Sequence, residues 1–293
     1  HKIRRSRHRT NSRIGENMLA NKNIAFIGAG SMAEAIIAGL VGKKIISPSQ
    51  ITATNRQDEK KLKRLEQTYQ IRTMTDKKAA VANASIIIHA FKPKNITEGI
   101  EQIREYVQEK QLLISILAGI PTSYIEKLLN RKAPVVRAMP NTSATVGLSA
   151  TAISRGQYAK EEHIKIAEEL FRAIGSVITV PEHLQNAVTG VAGSGPAYIY
   201  YFVEAMQKAA KKLGFDEQTG KELVLKTLEG AVKMLETSPK TPAELYKEVM
   251  SPGGATEAAI KVLESYEFQQ AIVAAIKRSA ERAKEMGNEF SKK

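Results

Sequence analysis

Asn23-Ile24-Ala25-Phe26-Ile27-Gly28-Ala29-Gly30-Ser31-Met32-Ala33-Glu34-Ala35-Ile36-Ile37-Ala38-Gly39-Leu40 is the stretch whose reading decides the fold. Ile24 to Ile27 form an apolar run too short for a helix and bounded by polar residues and glycine, the pattern of a strand buried on both faces. Gly28 and Gly30 follow at once, and from Met32 the apolar residues recur at helical spacing through Ile36, Ile37 and Leu40. Strand, glycine turn and helix in that order are the setting a dinucleotide-binding fingerprint needs. Gly28 permits the tight turn, Gly30 has no Cβ to obstruct a pyrophosphate, and the small Ala33 lets helix and strand pack closely. The helix start at Ser31 and Met32 offers free amides and a partial positive charge to phosphates.

Outward from this turn the chain alternates strand and helix. Strands are expected at Ile51 to Thr54, near Ile71, at Ser85 to Ala90, Leu112 to Ser115 and Val135 to Met139, with Ala150 to Ser154 and Val177 to Val180 extending the sheet. Helices are expected at Gln57 to Tyr69, from Asp76, from Pro93 to Val107, after Pro121 and at Glu161 to Ala173. Such a series with short connections predicts a Rossmann-type, doubly wound parallel sheet. Beyond Val180 only helical patterns follow: 182–213, 216–236, 242–249, 253–263 and 267–286. The expected organisation is a dinucleotide-binding domain over 18–180 and an all-helical domain over 181–293.

Composition narrows the function. A chain of 293 residues exceeds the usual single core, and 43% hydrophobic residues suffice for packed interiors. Cysteine is absent, which rules out disulfides and thiolate metal sites and suits a reducing, cytoplasmic setting. No metal site is expected. The longest apolar stretch, near Leu112 to Ile120, is broken by Ser115 and Gly119 and falls short of the about 18 residues of a membrane helix. The net charge of +14 is uneven: Lys2, Arg4, Arg5, Arg7, Arg9 and Arg13 face only Glu16. With no apolar core, residues 1–17 read as a non-native or disordered basic leader before Met18. The remaining charge is interleaved Lys and Glu, a solvated surface that suits anionic small ligands better than nucleic acid.

Two further places carry chemistry. Asn55 and Arg56 stand at the end of the second strand, where an acidic residue would select NAD. Arginine there can pair a ribose 2′-phosphate, so NADPH is expected over NADH. Ser251-Pro252-Gly253-Gly254-Ala255-Thr256-Glu257 reads as a helix start with Ser251 as cap and Pro252 in the first turn. Two glycines in such a turn cost nearly ~1 kcal/mol each, which an open nest of amides for a carboxylate would justify. Thr256 then presents a hydroxyl beside that anion. The run Ala192-Gly193-Ser194-Gly195-Pro196-Ala197-Tyr198 should kink the helix that contains it, or admit a ligand or another backbone at close range.

Phe26 to Ala33, Ala90-Phe91-Lys92-Pro93, Ala118-Gly119-Ile120, Met139-Pro140-Asn141-Thr142, Gly193 to Tyr198 and Ser251 to Thr256 together resemble the pyrroline-5-carboxylate reductase family. The resemblance runs from about Asn23 to about Met286, and the last motif is its most specific part. It implies NAD(P)H-dependent reduction of the cyclic imine Δ1-pyrroline-5-carboxylate to L-proline, the closing step of proline biosynthesis. It also implies a homo-oligomer made through a C-terminal dimerisation domain. By that likeness Ala90, Lys92, Pro93, Ala118 and Gly119 border the cofactor, and Asn141 lies near the nicotinamide. Ser251, Gly253, Gly254, Ala255 and Thr256 hold the substrate, with Thr256 as the catalytic candidate, and Glu182 matches a position near the proline site. His89 stands where the family usually has an apolar residue and reads as a satisfied structural histidine. A related imine or β-hydroxyacid dehydrogenase is the rival enzyme. Alcohol chemistry would need a lysine on the first C-terminal helix, and the nearest is Lys208, about three turns after the glycines. A non-catalytic, reductase-like regulator is the other rival, and the intact Ser251 to Thr256 run speaks against it.

Overall fold

The computed structural model describes residues 3–5 and 17–292. The rest of the expected basic leader lies outside the described residues. The strands are β1 (Arg4–Arg5), β2 (Ile24–Ile27), β3 (Ile51–Thr54), β4 (Arg72–Met74), β5 (Ile86–His89), β6 (Leu112–Ser115), β7 (Val135–Met139), β8 (Ser149–Arg155) and β9 (Gly175–Thr179). The helices of the sheet-bearing part are α1 (Ser31–Gly42), α2 (Glu59–Tyr69), α3 (Lys77–Ala82), α4 (Ile96–Ile103), α5 (Thr122–Leu129), α6 (Glu161–Arg172) and α7 (Gln185–Val188). After them come α8 (Gly195–Lys212), α9 (Glu217–Thr237), α10 (Pro242–Val249), α11 (Ala255–Ser265) and α12 (Phe268–Ser291).

The sheet runs β1-β9-β8-β7-β6-β5-β2-β3-β4. From β4 to β7 every pairing is parallel, and the order is that of a doubly wound dinucleotide fold, reversing direction between β2 and β5. Within β2 to β9 one step departs from the expected parallel sheet: β8 lies antiparallel to β7. The connection between them is only a short 3-10 turn at Thr142–Val146, and a parallel return needs a crossover of a dozen or more residues. The chain then crosses through α6 and adds β9 parallel to β8. At the far edge β1 adds a second antiparallel pairing, Arg4 and Arg5 opposite Thr179 and Ile178 of β9.

Both faces of the central strands are covered, which is why Ile24 to Ile27 read as continuously apolar. Ile24, Phe26, Ile86 and Ile88 pack with α1 and α6, through Ile36, Leu40, Leu170 and Phe171. Ala25, Ile27 and Ile87 pack on the other side with α3, α4 and α5, through Val81, Ile100 and Ile125. Strand alternation alone assigns these residues to the two layers.

The chain divides into two units, one of residues up to Ser194 together with Ser279 onward, the other Gly195–Arg278. In the second unit the helices have almost no interior. Within α8 to α11 only Gly220 and Val224 are buried, while Tyr200, Tyr201, Leu213, Val232 and Met234 are more than half exposed. The reading of one long helix over 182–213 is corrected. A 3-10 turn at Glu182–Leu184, α7 and a π-helical turn at Thr189–Gly193 precede α8, so the kink expected at the glycines takes the form of a widened turn. Among the described residues no helix is long and apolar enough to cross a membrane.

Candidate functional site

The reversal of strand order between β2 and β5 opens a crevice at their carboxyl ends, where ligands of such folds bind. Gly28 has φ +102°, and a Cβ on it would lie 2.8 Å from the Ala90 carbonyl oxygen. The turns after β2 and β5 therefore touch backbone to backbone. Gly30 caps α1 with extended backbone and no capping side chain. A Cβ on Gly30 would meet nothing nearer than 3.9 Å. The first amides of α1 thus face open space at the positive end of the helix. This cleft has a volume of about 400 Å³ and carries Arg56, Lys61, Lys77, Lys92 and Lys94 against Glu98.

One acid sits in the first turn of α1. Glu34 accepts both Arg64 guanidinium nitrogens at 2.8 Å and the Tyr69 hydroxyl at 3.0 Å. The Arg64 contact holds its carboxyl well below the usual range, lowered to about 2. The residue stays ionised but is neutralised from α2.

The expected 2′-phosphate reader, Arg56, lies on the wall of this cleft, and its backbone N–H donates to Asn55 Oδ1 at 2.7 Å. Its guanidinium is paired with Glu98 of α4, Nη2 to Oε1 at 2.6 Å. Gln102 donates to the same carboxylate at 3.1 Å and accepts from Lys77 Nζ at 2.8 Å. Sequence reasoning missed Glu98, Gln102 and Lys77. They lie on α3 and α4, far along the chain, and belong to no glycine or proline motif.

On the β5 side, Ala90 forms the contact with Gly28, and Lys92 caps the 3-10 turn Pro93–Asn95. Phe91 lies against Gly99, where a Cβ would stand 2.6 Å from the ring. His89 stacks on Phe91 with ring centroids 5.6 Å apart. The reading of His89 as a satisfied histidine is corrected: it is fully buried, and among the described residues neither ring nitrogen has a hydrogen-bond partner. Burial pushes its pKa down to about 4, so it is neutral near pH 7. At the end of β6, Gly119 has φ +77° and a Cβ on it would lie 2.5 Å from the Ala283 carbonyl oxygen. Gly287 is in close backbone contact with the same turn. The end of α12 therefore backs the Ala118–Gly119 turn, a contact that no local signal reveals.

Asn141 is held by its own side chain. Its Oδ1 accepts the Ser143 amide at 3.0 Å and its Nδ2 donates to the Ala192 carbonyl at 3.1 Å. Gly193 is small because the Met139 methyl approaches to 2.8 Å of where its Cβ would be. The close neighbour allowed by the glycine run at Gly193 is thus a side chain of the same unit. Glu182 has structural partners too. Its oxygens accept the Thr122 amide at 2.9 Å and hydroxyl at 2.6 Å, closing the start of α5. It also stands 4.0 Å from Arg137, a nearly buried cation. Among the described residues no three His, Cys, Asp or Glu side chains gather as metal ligands.

Within the helical unit, the helix expected to start at Ser251 begins at Ala255, with Gly254 as its cap. Ser251 is the first residue of a turn instead, its carbonyl accepting the Gly254 amide at 2.9 Å. Gly253 needs its glycine for φ +71°, and its amide donates to Glu257 Oε1 at 3.3 Å. Since Gly254 has no capping side chain, the amides of Ala255 and Thr256 stand at an uncapped helix start. That arrangement can receive a carboxylate.

Comparison with known proteins shows the family. Residues 182–286 match the model of pyrroline-5-carboxylate reductase dimerisation, and residues 23–119 match that of NADP oxidoreductase, coenzyme F420-dependent. Pyrroline-5-carboxylate reductase 2 of Bacillus subtilis is 44% identical over 92% of this chain and 97% of its own length. Among solved structures, a pyrroline-5-carboxylate reductase from Coxiella burnetii superposes with a TM-score of 0.84 at 36% identity, covering 90% of this chain and 98% of that one. The Plasmodium falciparum pyrroline carboxylate reductase with NADP bound also gives 0.84, at 26% identity over 91% and 98% of the two chains. With identity at this level over nearly the whole length, the chain belongs to the pyrroline-5-carboxylate reductase family.

Proposed function

We propose that this protein reduces Δ1-pyrroline-5-carboxylate to L-proline with NADPH, and with NADH as the lesser donor, as a cytoplasmic homo-oligomer. The observation that carries the cofactor half is the cleft over Gly28 and Gly30. Its floor excludes any Cβ at Gly28, leaves room above Gly30 and is ringed by five cations. Those features fit a pyrophosphate and a 2′-phosphate. NADPH, when bound, supplies the hydride. The chain's part is to hold and orient. The α1 amides bind the pyrophosphate, Arg56 binds the 2′-phosphate, and Ala90, Lys92, Pro93, Ala118 and Gly119 shape the walls.

The substrate half rests on the turn Ser251 to Thr256. Amides at the α11 start receive the carboxylate, with Ser251, Gly253, Gly254 and Ala255 forming the surrounding turn. Thr256 donates a hydrogen bond to the ring nitrogen, which is basic enough to be partly protonated near neutral pH. No strong acid is therefore required. Glu182 stays with Thr122 and Arg137. The exposed apolar faces of α8 and α9 support assembly with a second copy through the helical unit.

Thr256→Val removes the hydroxyl while nearly keeping the shape. It should lower kcat by about tenfold or more with NADPH affinity unchanged, consistent with a lost hydrogen bond of about 1.5 kcal/mol. Gly254→Val keeps the hydroxyl and crowds the amides, so it should raise KM for the imine and weaken inhibition by L-proline. Steady-state kinetics with circular dichroism as a folding check separates the two effects. Full turnover in Thr256→Val would give proton delivery to solvent. Unchanged KM in Gly254→Val would remove the carboxylate from this turn.

A further inference from the structure

The cleft assigned to the 2′-phosphate contains a carboxylate, a group that repels a phosphate. Glu98 stands on α4 in a cleft whose other charged residues are all cations, and it occupies Arg56, the residue expected to bind phosphate. Gln102, one turn further along α4, touches Glu98 with its amide nitrogen and Lys77 with its amide oxygen. The result is a continuous chain, Arg56–Glu98–Gln102–Lys77, with a cation at each end. Lys77 is half-buried at the first position of α3.

We propose that Glu98 is the cofactor-discriminating residue of this site, an internal anion that holds Arg56 until a 2′-phosphate replaces it, and that Lys77 is the second cation for that phosphate. The inference rests on Arg56 reading the 2′-phosphate and names what else reads it. Side chains of Arg56 and Glu98 are 59% and 52% exposed, and ion pairs so exposed are weakly held. A dianion making charge-assisted bonds to Arg56 can therefore displace the carboxylate. Glu98 cannot leave the cleft, because α4 anchors it, so it opposes the phosphate as a like charge nearby. Lys77, held by Gln102 and repelled by Arg56, gains an opposite charge when the phosphate arrives. With NADH, whose ribose carries a hydroxyl, the Arg56–Glu98 pair stays closed. Glu98 thus lowers the preference for NADPH below what Arg56 and Lys77 would set, and leaves NADH usable.

The test is equilibrium binding of NADPH, NADH, 2′,5′-ADP and 5′-ADP to the intact oligomer, for wild type, Glu98→Gln and Lys77→Met. Glu98→Gln should tighten NADPH and 2′,5′-ADP by roughly three- to tenfold, with NADH within about twofold. Lys77→Met should weaken NADPH and 2′,5′-ADP by about tenfold and again spare NADH. If either variant leaves the ratio of NADPH to NADH affinity unchanged, whether both move together or neither moves, the role given to that residue is overturned. The wild-type comparison isolates the underlying reading. Equal binding of 2′,5′-ADP and 5′-ADP would remove the 2′-phosphate site altogether, and this inference with it. Discrimination by the wild type with an unaltered ratio in Glu98→Gln would overturn the discriminating role of Glu98 alone.

Discussion

Gly28→Val should reduce NADPH affinity by about a hundredfold or more and destabilise the sheet-bearing unit. Two independent costs fall on that position. Its φ of +102° is open to glycine but strained for a branched side chain, at about 1–3 kcal/mol. The new Cβ would also stand 2.8 Å from the Ala90 carbonyl oxygen, a backbone atom that moves only if the turn after β5 moves. Gly30→Ala separates binding from folding. Its φ is ordinary and the nearest atom would be 3.9 Å away, so stability should change by about 1 kcal/mol or less. Its methyl group nevertheless enters the space assigned to the pyrophosphate, and NADPH affinity should fall clearly. A folded Gly30→Ala protein with wild-type affinity would show that the pyrophosphate lies elsewhere.

The second large effect concerns assembly. Residues 195–278 form helices with apolar side chains outside and almost none inside: Tyr201 and Leu213 are each 80% exposed. Isolated helices with so little tertiary packing are marginal in water, and exposed apolar area of this kind marks an interface. Dissociation and unfolding should therefore coincide. The mass in solution should be at least that of a dimer, and each tenfold dilution should lower apparent stability by about 1.4 kcal/mol. Sedimentation and thermal melts over a concentration series check this. A folded, active monomer at nanomolar concentration would refute it.

Much of this arrangement is legible in sequence because it rests on local rules. Ile24 to Ile27, Gly28, Gly30 and the apolar spacing from Met32 specify strand, turn and helix within one short segment. The contacts are not local, and there the reading stops. Nothing near Arg56 points to Glu98, and nothing near Gly119 points to Gly287. The antiparallel β8 follows from the length of the Thr142–Val146 turn, a signal present in the sequence and outweighed by the βαβ rhythm before it. Ser251 and Pro252 have the chemistry of a helix start, yet α11 begins four residues later, at Ala255. The chain instead makes a preceding turn at Gly253, where positive φ needs glycine, and begins the helix on Gly254. Family likeness places Asn141 and Glu182 near the ligands, and the fold adds structural partners to both that the sequence does not show.

Reduction of Δ1-pyrroline-5-carboxylate to L-proline by NADPH is decided by product analysis. Purified protein would be given NADPH with Δ1-pyrroline-5-carboxylate, and separately with pyrroline-2-carboxylate, following NADPH oxidation and L-proline together. We predict one L-proline formed per NADPH oxidised from the 5-carboxylate, with kcat/KM about tenfold or more above that for the 2-carboxylate isomer. A folded protein that binds NADPH yet forms no L-proline from the 5-carboxylate would overturn the proposed reduction and leave a nucleotide-binding, reductase-like protein without this activity.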